Sequence, residues 1–289
     1  MSKISEWLWI NAYYLRENYY ELKYSQKGNV NWAEDYEQFF QEYSPAFVLS
    51  SGRCGTQLLT KLLTLEKNSN VYHSHYIVPS PLFKLFQSKA YRIKDIDRLT
   101  DIFEAARSET IYRSYRTGRQ YVETNDRITF FAFAIKNLFP KAKFIHLVRN
   151  PIKVVISYLR RKNYQNFDSI DIGLPRLNTP QWEQMGIIEK NAWRWNETQM
   201  FIERVKLKYP ASCITIKAED LFKNISTTKK IFSFLGFDCP HDKKITKIIA
   251  KPMNKQILGE YKKYSYWSAS EKEQIRQAAT LSEKYGYKL

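Results

Sequence analysis

One stretch constrains this chain more than any other: Phe47-Val48-Leu49-Ser50-Ser51-Gly52-Arg53-Cys54-Gly55-Thr56-Gln57-Leu58-Leu59. A short apolar run, which reads as a buried parallel strand, breaks into a small-residue turn carrying a cation. A leucine-patterned helix follows at once. Such a junction aims backbone N–H groups and the positive end of a helix at one point, where a phosphate or sulfate is stabilised. Gly52 and Gly55 let the backbone close around an anion, and Thr56 offers a hydroxyl at the helix start. Arg53 adds a permanent charge on a planar fork of donors.

Spacing narrows the choice among anion-binding loops. A Walker-type nucleotide loop needs Gly-Lys-Ser/Thr after four intervening residues, and no lysine follows Gly55. A cysteine phosphatase loop needs an arginine six positions after its cysteine, but the residue there is Thr60. The charge balance agrees with an anionic ligand. Lys and Arg number 46 against 29 Asp and Glu in 289 residues, a net charge of +17, which favours a polyanionic partner such as nucleotide phosphates, nucleic acid, an anionic membrane surface or an acidic glycan. Cys54, Cys213 and Cys239 are too few and too scattered for a disulfide framework, which points to a reducing compartment. Neither a signal-peptide pattern nor an apolar run of transmembrane length is present, so a cytoplasmic protein is expected, with attachment to a membrane surface left open.

Residues 1–45 are dense in aromatics, and Trp7, Ile10 and Tyr14 share one helical face, as do Phe39, Phe40 and Tyr43. This region reads as a helical N-terminal extension packed on the core, closed by Pro45. After the anion loop, Leu58, Leu59, Leu62, Leu63 and Leu65 form an apolar helix face. Asn68-Ser69-Asn70 reads as a turn and Val71-Tyr72-His73 as the start of a second strand, a βαβ opening consistent with a doubly wound parallel sheet. His73 and His75 would point to one side of an extended segment. No further ligand-type residues stand near them at metal-binding spacing, so no metal is expected. Residues 80–120 read as helical and basic.

Lys143-Phe144-Ile145-His146-Leu147-Val148 is the clearest buried strand, and it ends in Arg149-Asn150-Pro151. Asn150 suits an N-cap and Pro151 the first helical position. Arg149 thus emerges at the strand's C-terminal end, the edge at which open α/β sheets bind ligands. Ser157 follows eight positions later on the next helix, so its hydroxyl and the Arg149 guanidinium can meet one phosphate. Between 160 and 182 the chain turns polar and loses periodicity, which reads as a lid over an acceptor site. Trp193 and Trp195 flank Arg194 on a helix, and an amphipathic helix begins at about Ala269.

Ser-Gly-Arg-Cys-Gly-Thr resembles the phosphosulfate-binding loop of sulfotransferases that use 3′-phosphoadenosine-5′-phosphosulfate (PAPS). Arg-Asn-Pro followed by Ser157 resembles their 3′-phosphate motif, in the order the family uses. Lys217-Ala218-Glu219-Asp220-Leu221 and Phe234-Leu235-Gly236 are also similar to family helices. The resemblance covers residues 46–289. It implies an α/β fold with a P-loop-like central parallel sheet flanked by helices on both faces, a single domain with helical insertions.

The resemblance also implies roles. Ser51, Gly52, Arg53, Cys54, Gly55, Thr56 and Gln57 would hold the phosphosulfate, Arg149 and Ser157 the 3′-phosphate, and Lys262 and Lys263 would lie on a basic loop closing over the nucleotide. Sulfuryl transfer is then chiefly positioning plus stabilisation of charge on the departing nucleotide, PAP. Arg53 stands where the family often has lysine; it keeps the charge but is no proton donor. His75 is the preferred base, with His73 beside it and Glu123 in reserve. The acceptor would be a hydroxyl or amine on a glycan, lipid or small molecule. The Lys-x-x-His arrangement of cytosolic aryl sulfotransferases is not evident, so glycan-, lipid- and bacterial-type members are the closer comparison. Two rival readings are a P-loop nucleotide or small-molecule kinase, which lacks its loop lysine here, and a non-enzymatic basic module for nucleic acid or anionic membranes. No zinc-finger, helix-turn-helix or RNP pattern supports nucleic-acid binding.

Overall fold

A computed structural model describes residues 32–73, 86–87, 89–160, 180–250 and 261–289. The expectations for Trp7, Ile10 and Tyr14, for His75 and for the lid over 161–179 lie outside the described residues. The chain divides into two units after Phe40, five residues before the boundary read at Pro45. Helix α1 (Trp32–Glu42) carries Tyr36, Phe39 and Phe40 of the first unit, with ring centroids 4.7 Å apart for Tyr36–Phe40 and for Phe39–Phe40.

The second unit, Gln41–Leu289, is built on five parallel strands. They are β1 (Ala46–Leu49), β2 (Ser69–Tyr72), β3 (Gln120–Glu123), β4 (Lys143–Val148) and β5 (Cys213–Lys217), in the spatial order β2-β3-β1-β4-β5. Helices α2 (Thr56–Leu63) and α3 (Ile96–Arg116) join the first three strands. A 3₁₀ segment (Asp126–Phe131) and α4 (Ala132–Leu138) lead to β4, and α5 (Pro151–Leu159), α6 (Pro180–Gln184) and α7 (Ile187–Lys208) to β5. The chain then continues through α8 (Ala218–Leu221), α9 (Ile225–Leu235), α10 (Asp242–Ile249) and α11 (Ala269–Ala278).

Why β1 reads as an unbroken apolar run follows from burial on both faces. Alternate residues go to opposite sides. Ala46 and Val48 join Val122, Ile145 and Leu147 in a cluster with Leu58, Leu59, Leu62 and Leu63 of α2. Phe47 turns to the other face, where its ring lies 5.9 Å from Phe103 of α3, 5.8 Å from Tyr121 and 6.3 Å from Phe144. Each of those leucines contributes about 1.5–3 kcal/mol by leaving water. Helices therefore cover both faces of the sheet, as expected. Trp195 and Arg194 are buried side by side in sequence on α7.

Two local readings shift. Ser69 and Asn70, read as a turn, open β2, because their backbone pairs with Gln120 and Tyr121 of β3; ladder hydrogen bonds override the turn preference of those side chains. His73 falls just past the end of β2. Among the described residues no helix is long and apolar enough to cross a membrane.

Candidate active site

Strand β1 lies between β3 and β4, with Phe47 opposite Glu123 and Leu49 opposite His146. All strands run parallel, so the segments leaving β1, β3 and β4 emerge at one edge. The chain departs from β1 toward β2 and from β4 toward β5, on opposite sides. The crevice between β1 and β4 is thus a topological switch point, where open α/β sheets take their ligands. Residues 50–55 and Arg149 both stand there.

The loop is wound through three left-handed positions: Gly52 at φ 81°, Arg53 at φ 58° and Gly55 at φ 93°. Arg53 is the non-glycine residue among those described with a positive φ. A conformation of that kind costs an L-residue about 1–2 kcal/mol, so surrounding contacts must hold it. Gly52 N–H donates to Ser50 Oγ at 3.1 Å, and Ser50 N–H to Thr129 Oγ1 at 3.1 Å. Tyr158 donates its hydroxyl proton to the Ser51 carbonyl. Gly55, in the left-handed region, serves as N-cap of α2, and Thr56 opens the helix, nearly buried. Its carbonyl accepts from the Thr60 hydroxyl at 2.7 Å. Gln57 follows on α2, half-buried.

Arg149 closes the other side of the crevice. Its Nη1 donates to the Arg53 carbonyl at 2.8 Å, while Arg53 Nε donates to Ser157 Oγ at 2.8 Å. Ser157, read as the companion of Arg149, therefore holds the Arg53 side chain, and both arginines and the serine meet in one place. The Arg149 Nε is buried, with no hydrogen-bond partner among the described residues. Around it, Trp195 Nε1 donates to the Arg149 carbonyl at 3.0 Å, and the guanidinium carbon lies 5.4 Å from the Phe222 ring centre. Asn150 caps α5, its Oδ1 accepting from Ile152 N–H at 2.9 Å and Lys153 N–H at 3.4 Å. Such a cap is worth about 1 kcal/mol. Asn150 N–H in turn donates to Glu219 Oε1 at 3.1 Å, and Tyr287 donates to Glu219 Oε2 at 2.9 Å.

Cys54 sits inside the loop without access to solvent. Burial pushes its thiol up to about 12, against weaker lowering by Ser51 and Arg149. It is a protonated donor near neutral pH, set 3.1 Å from the Gly52 carbonyl and 3.6 Å from Ser51 Oγ. A thiolate nucleophile is thereby disfavoured, which separates this loop from the cysteine phosphatases on physical grounds.

The residues read as bases are placed very differently. Glu123 is fully buried at the end of β3. Its Oε2 accepts from Arg107 Nε at 3.2 Å and Tyr121 OH at 2.9 Å, and its Oε1 from Asn125 Nδ2 at 3.1 Å. Both oxygens are spent on structure. His73 is buried, with Nδ1 3.2 Å from the Thr124 carbonyl and 3.0 Å from its hydroxyl. Lys262 and Lys263 stand just before α11, where Lys262 Nζ pairs with Glu271 at 2.6 Å. Glu271 also closes the capping box of that helix with Ser268.

Three neighbours of the site escaped the reading of the sequence. An added Cβ at Gly55 would lie 2.5 Å from Phe222 Cε1, so this ring walls the loop. Trp195 supports Arg149 from a helix far along the chain. Asp126 lies against Gly52: a Cβ there would be 2.6 Å from Asp126 Oδ2 and 3.4 Å from Tyr158 OH. The sequence signal for Asp126 was the Asn125-Asp126 pair just past a strand, but nothing in it told which strand lay beside β1.

Comparison with known proteins gives this geometry a family. No curated protein matches the sequence. Among solved structures, the sulfotransferase domain from the curacin biosynthetic pathway matches with a TM-score of 0.51 and 15% identity, over 86% of this chain and 99% of its own. The sulfotransferase domain from the Synechococcus PCC 7002 olefin synthase matches with a TM-score of 0.50 and 17% identity, over 86% and 97%. Sulfotransferase STF9 from Mycobacterium avium matches with a TM-score of 0.50 and 12% identity, over 86% and 78%. These likenesses are of fold. The sulfotransferase family model, by contrast, matches the sequence itself over residues 45–241, well over half of the chain and the whole span from the loop through Arg149 to Glu219. On that match, the chain belongs to the sulfotransferase family.

Proposed function

We propose that this protein transfers a sulfuryl group from PAPS to a hydroxyl or amine of a glycan, lipid or small-molecule acceptor. The observation that carries the reading is the junction of the two arginine corners, where Arg149 Nη1 holds the Arg53 carbonyl at 2.8 Å and Arg53 Nε holds Ser157 at 2.8 Å. The site fits a bisphosphate nucleotide in a further respect. Among the described residues the buried Arg149 Nε has no hydrogen-bond partner, and an unmade bond of that kind calls for an acceptor.

Bound PAPS would supply the sulfuryl group and a phosphate leaving group. The chain's own part is electrostatic. Arg53 and the N–H groups of residues 54–57 stabilise negative charge as it gathers on the oxygen bridging to phosphate. Arg149 and Ser157 bind the 3′-phosphate, which sets PAPS apart from ATP-like nucleotides. Lys262 and Lys263 close over the nucleotide. A base must also take the acceptor's proton; His75 and His73 are candidates by residue type, whereas both oxygens of Glu123 are already engaged.

The test is calorimetric titration with PAP and with 5′-AMP, followed by a screen of acceptors with radiolabelled PAPS. Binding of PAP much tighter than of 5′-AMP, and label appearing on an acceptor without added divalent metal, is the expected result. Equal affinity for the two nucleotides rejects the 3′-phosphate assignment, and ATP-dependent phosphorylation of an acceptor would replace the reading with a kinase.

A further inference from the structure

We infer that Asp126 is the general base of the transfer, the group that takes the acceptor's proton; this rests on the sulfotransferase reading of the site. Asp126 follows Glu123 by three residues and opens the 3₁₀ segment just past the strand that flanks β1 on the side opposite β4. Its carboxylate fills the space next to the first glycine of the loop, with Oδ2 2.6 Å and Cγ 3.3 Å from where a Cβ on Gly52 would be. Only glycine at position 52 admits it there.

The placement is enforced. Thr129 Oγ1 lies 2.7 Å from the Asp126 carbonyl and 3.1 Å from the Ser50 carbonyl, and it accepts the Ser50 N–H at 3.1 Å. The 3₁₀ turn that carries Asp126 is thereby stapled to the loop. On its other side, Asn125 Oδ1 accepts from Arg127 N–H at 3.2 Å, and Asn125 Nδ2 donates to Glu123 Oε1 at 3.1 Å. The turn is thus tied to the buried Arg107–Glu123 pair as well.

Against that fixed frame, the carboxylate is unused. It is half-buried, and among the described residues neither a hydrogen bond nor an ion pair reaches it. Glu123, three residues earlier, is the opposite case: sealed off and fully engaged. A free carboxylate beside an anion-binding loop opposes the binding of a like-charged donor. The same placement puts a proton acceptor within reach of the reacting centre.

In the step, the acceptor O–H gives its proton to Asp126 as its oxygen bonds to sulfur. The bond from sulfur to the bridging oxygen breaks, and its electron pair leaves on the nucleotide's 5′-phosphate. The products are the sulfate ester and PAP, and Asp126 returns its proton to water.

The experiment compares wild type with Asp126→Asn, Asp126→Glu and His73→Ala in three measurements: melting temperature, PAP affinity by calorimetry, and single-turnover transfer of radiolabelled sulfuryl group to the acceptor found by screening. For Asp126→Asn we expect transfer to fall by about 10²–10⁴-fold, with PAP affinity unchanged or tighter because a like charge is gone. Asp126→Glu, which folds with the same charge, is expected to recover part of the rate. Transfer by Asp126→Asn near the wild-type rate overturns the inference, as does a PAP affinity that falls in step with transfer and melting temperature. A deep loss in His73→Ala with full activity in Asp126→Asn moves the role to His73. Wild-type protein that binds no PAP sinks the sulfotransferase reading itself, whereas wild type that binds and transfers beside an equally active Asp126→Asn sinks the base alone.

Discussion

Arg149 reaches across the sheet edge to Arg53, donating from Nη1 to its main-chain carbonyl at 2.8 Å over a sequence separation of 96 residues. The strand that delivers Arg149 therefore also holds the anion loop in shape. Arg149→Ala should weaken PAP binding by about 1.5–3 kcal/mol, the worth of a hydrogen bond to a charged group. Binding of 5′-AMP should fall less, through loosening of the loop alone. Calorimetry with both nucleotides measures the difference, and equal losses would mean that Arg149 serves only the loop.

Arg53 gives a prediction in which stability and activity part. Its φ of 58° is strained for arginine and easy for glycine. Arg53→Gly removes the bond to Ser157 but relieves that strain, so the melting temperature should stay level or rise. Transfer should nonetheless drop by about 2.7–4 kcal/mol of transition-state stabilisation, as on loss of an oxyanion donor. A variant that is both less stable and fully active would show that the backbone conformation, not the guanidinium, matters.

Much of this was legible in the sequence because the signals are local. Phe47–Leu49 is apolar throughout and Lys143–Val148 is largely so, and both read as buried strands, while Asn150-Pro151 announces its own helix start. What the sequence hides is adjacency. That β3 lies beside β1, placing Asp126 on Gly52 and sealing Glu123 against Arg107, depends on strand order, which periodicity does not encode. Ser157 was legible as a phosphate-side hydroxyl, but its contact with Arg53 depends on the rotamer of a long side chain. Phe222 stands in no motif of the sequence and Trp195 reads only as a helical neighbour of Arg194, and only the fold brings them to Gly55 and Arg149.

The loop's second glycine tests that packing. Gly55 has φ 93°, and a methyl group there meets Phe222 Cε1 at 2.5 Å. Gly55→Ala should destabilise by about 1–3 kcal/mol and weaken PAP binding. Adding Phe222→Ala removes the clash but leaves the backbone strain, so the double variant should regain only part of the loss. Additive effects in the double-mutant cycle would show that ring and methyl do not collide.

His146, in the middle of the sheet, sets a pH limit on the fold. It is fully buried, with Nε2 2.7 Å from Gln199 Oε1 and Nδ1 3.4 Å from Thr215 Oγ1. Burial above all, helped by the charges of Lys206 and Lys284 and opposed by Gln199 and Glu203, lowers it from 6.5 to about 4. In the unfolded chain the ring takes up a proton as pH falls below about 6.5, whereas the folded protein resists until about 4. Stability from keeping this ring neutral is therefore whole above the higher value and drains away between the two, on the order of 3 kcal/mol in all. Melting temperatures recorded from pH 7.5 to 4 should fall through that window, and His146→Gln, which keeps a polar group beside Gln199 but cannot titrate there, should flatten the fall. Glu203, held down to about 2 by Lys206, Lys284 and Tyr285 despite partial burial, loses its contribution only at lower pH, below its usual 4.5. A slope between pH 6.5 and 4 that survives in His146→Gln would assign the acid sensitivity to other groups.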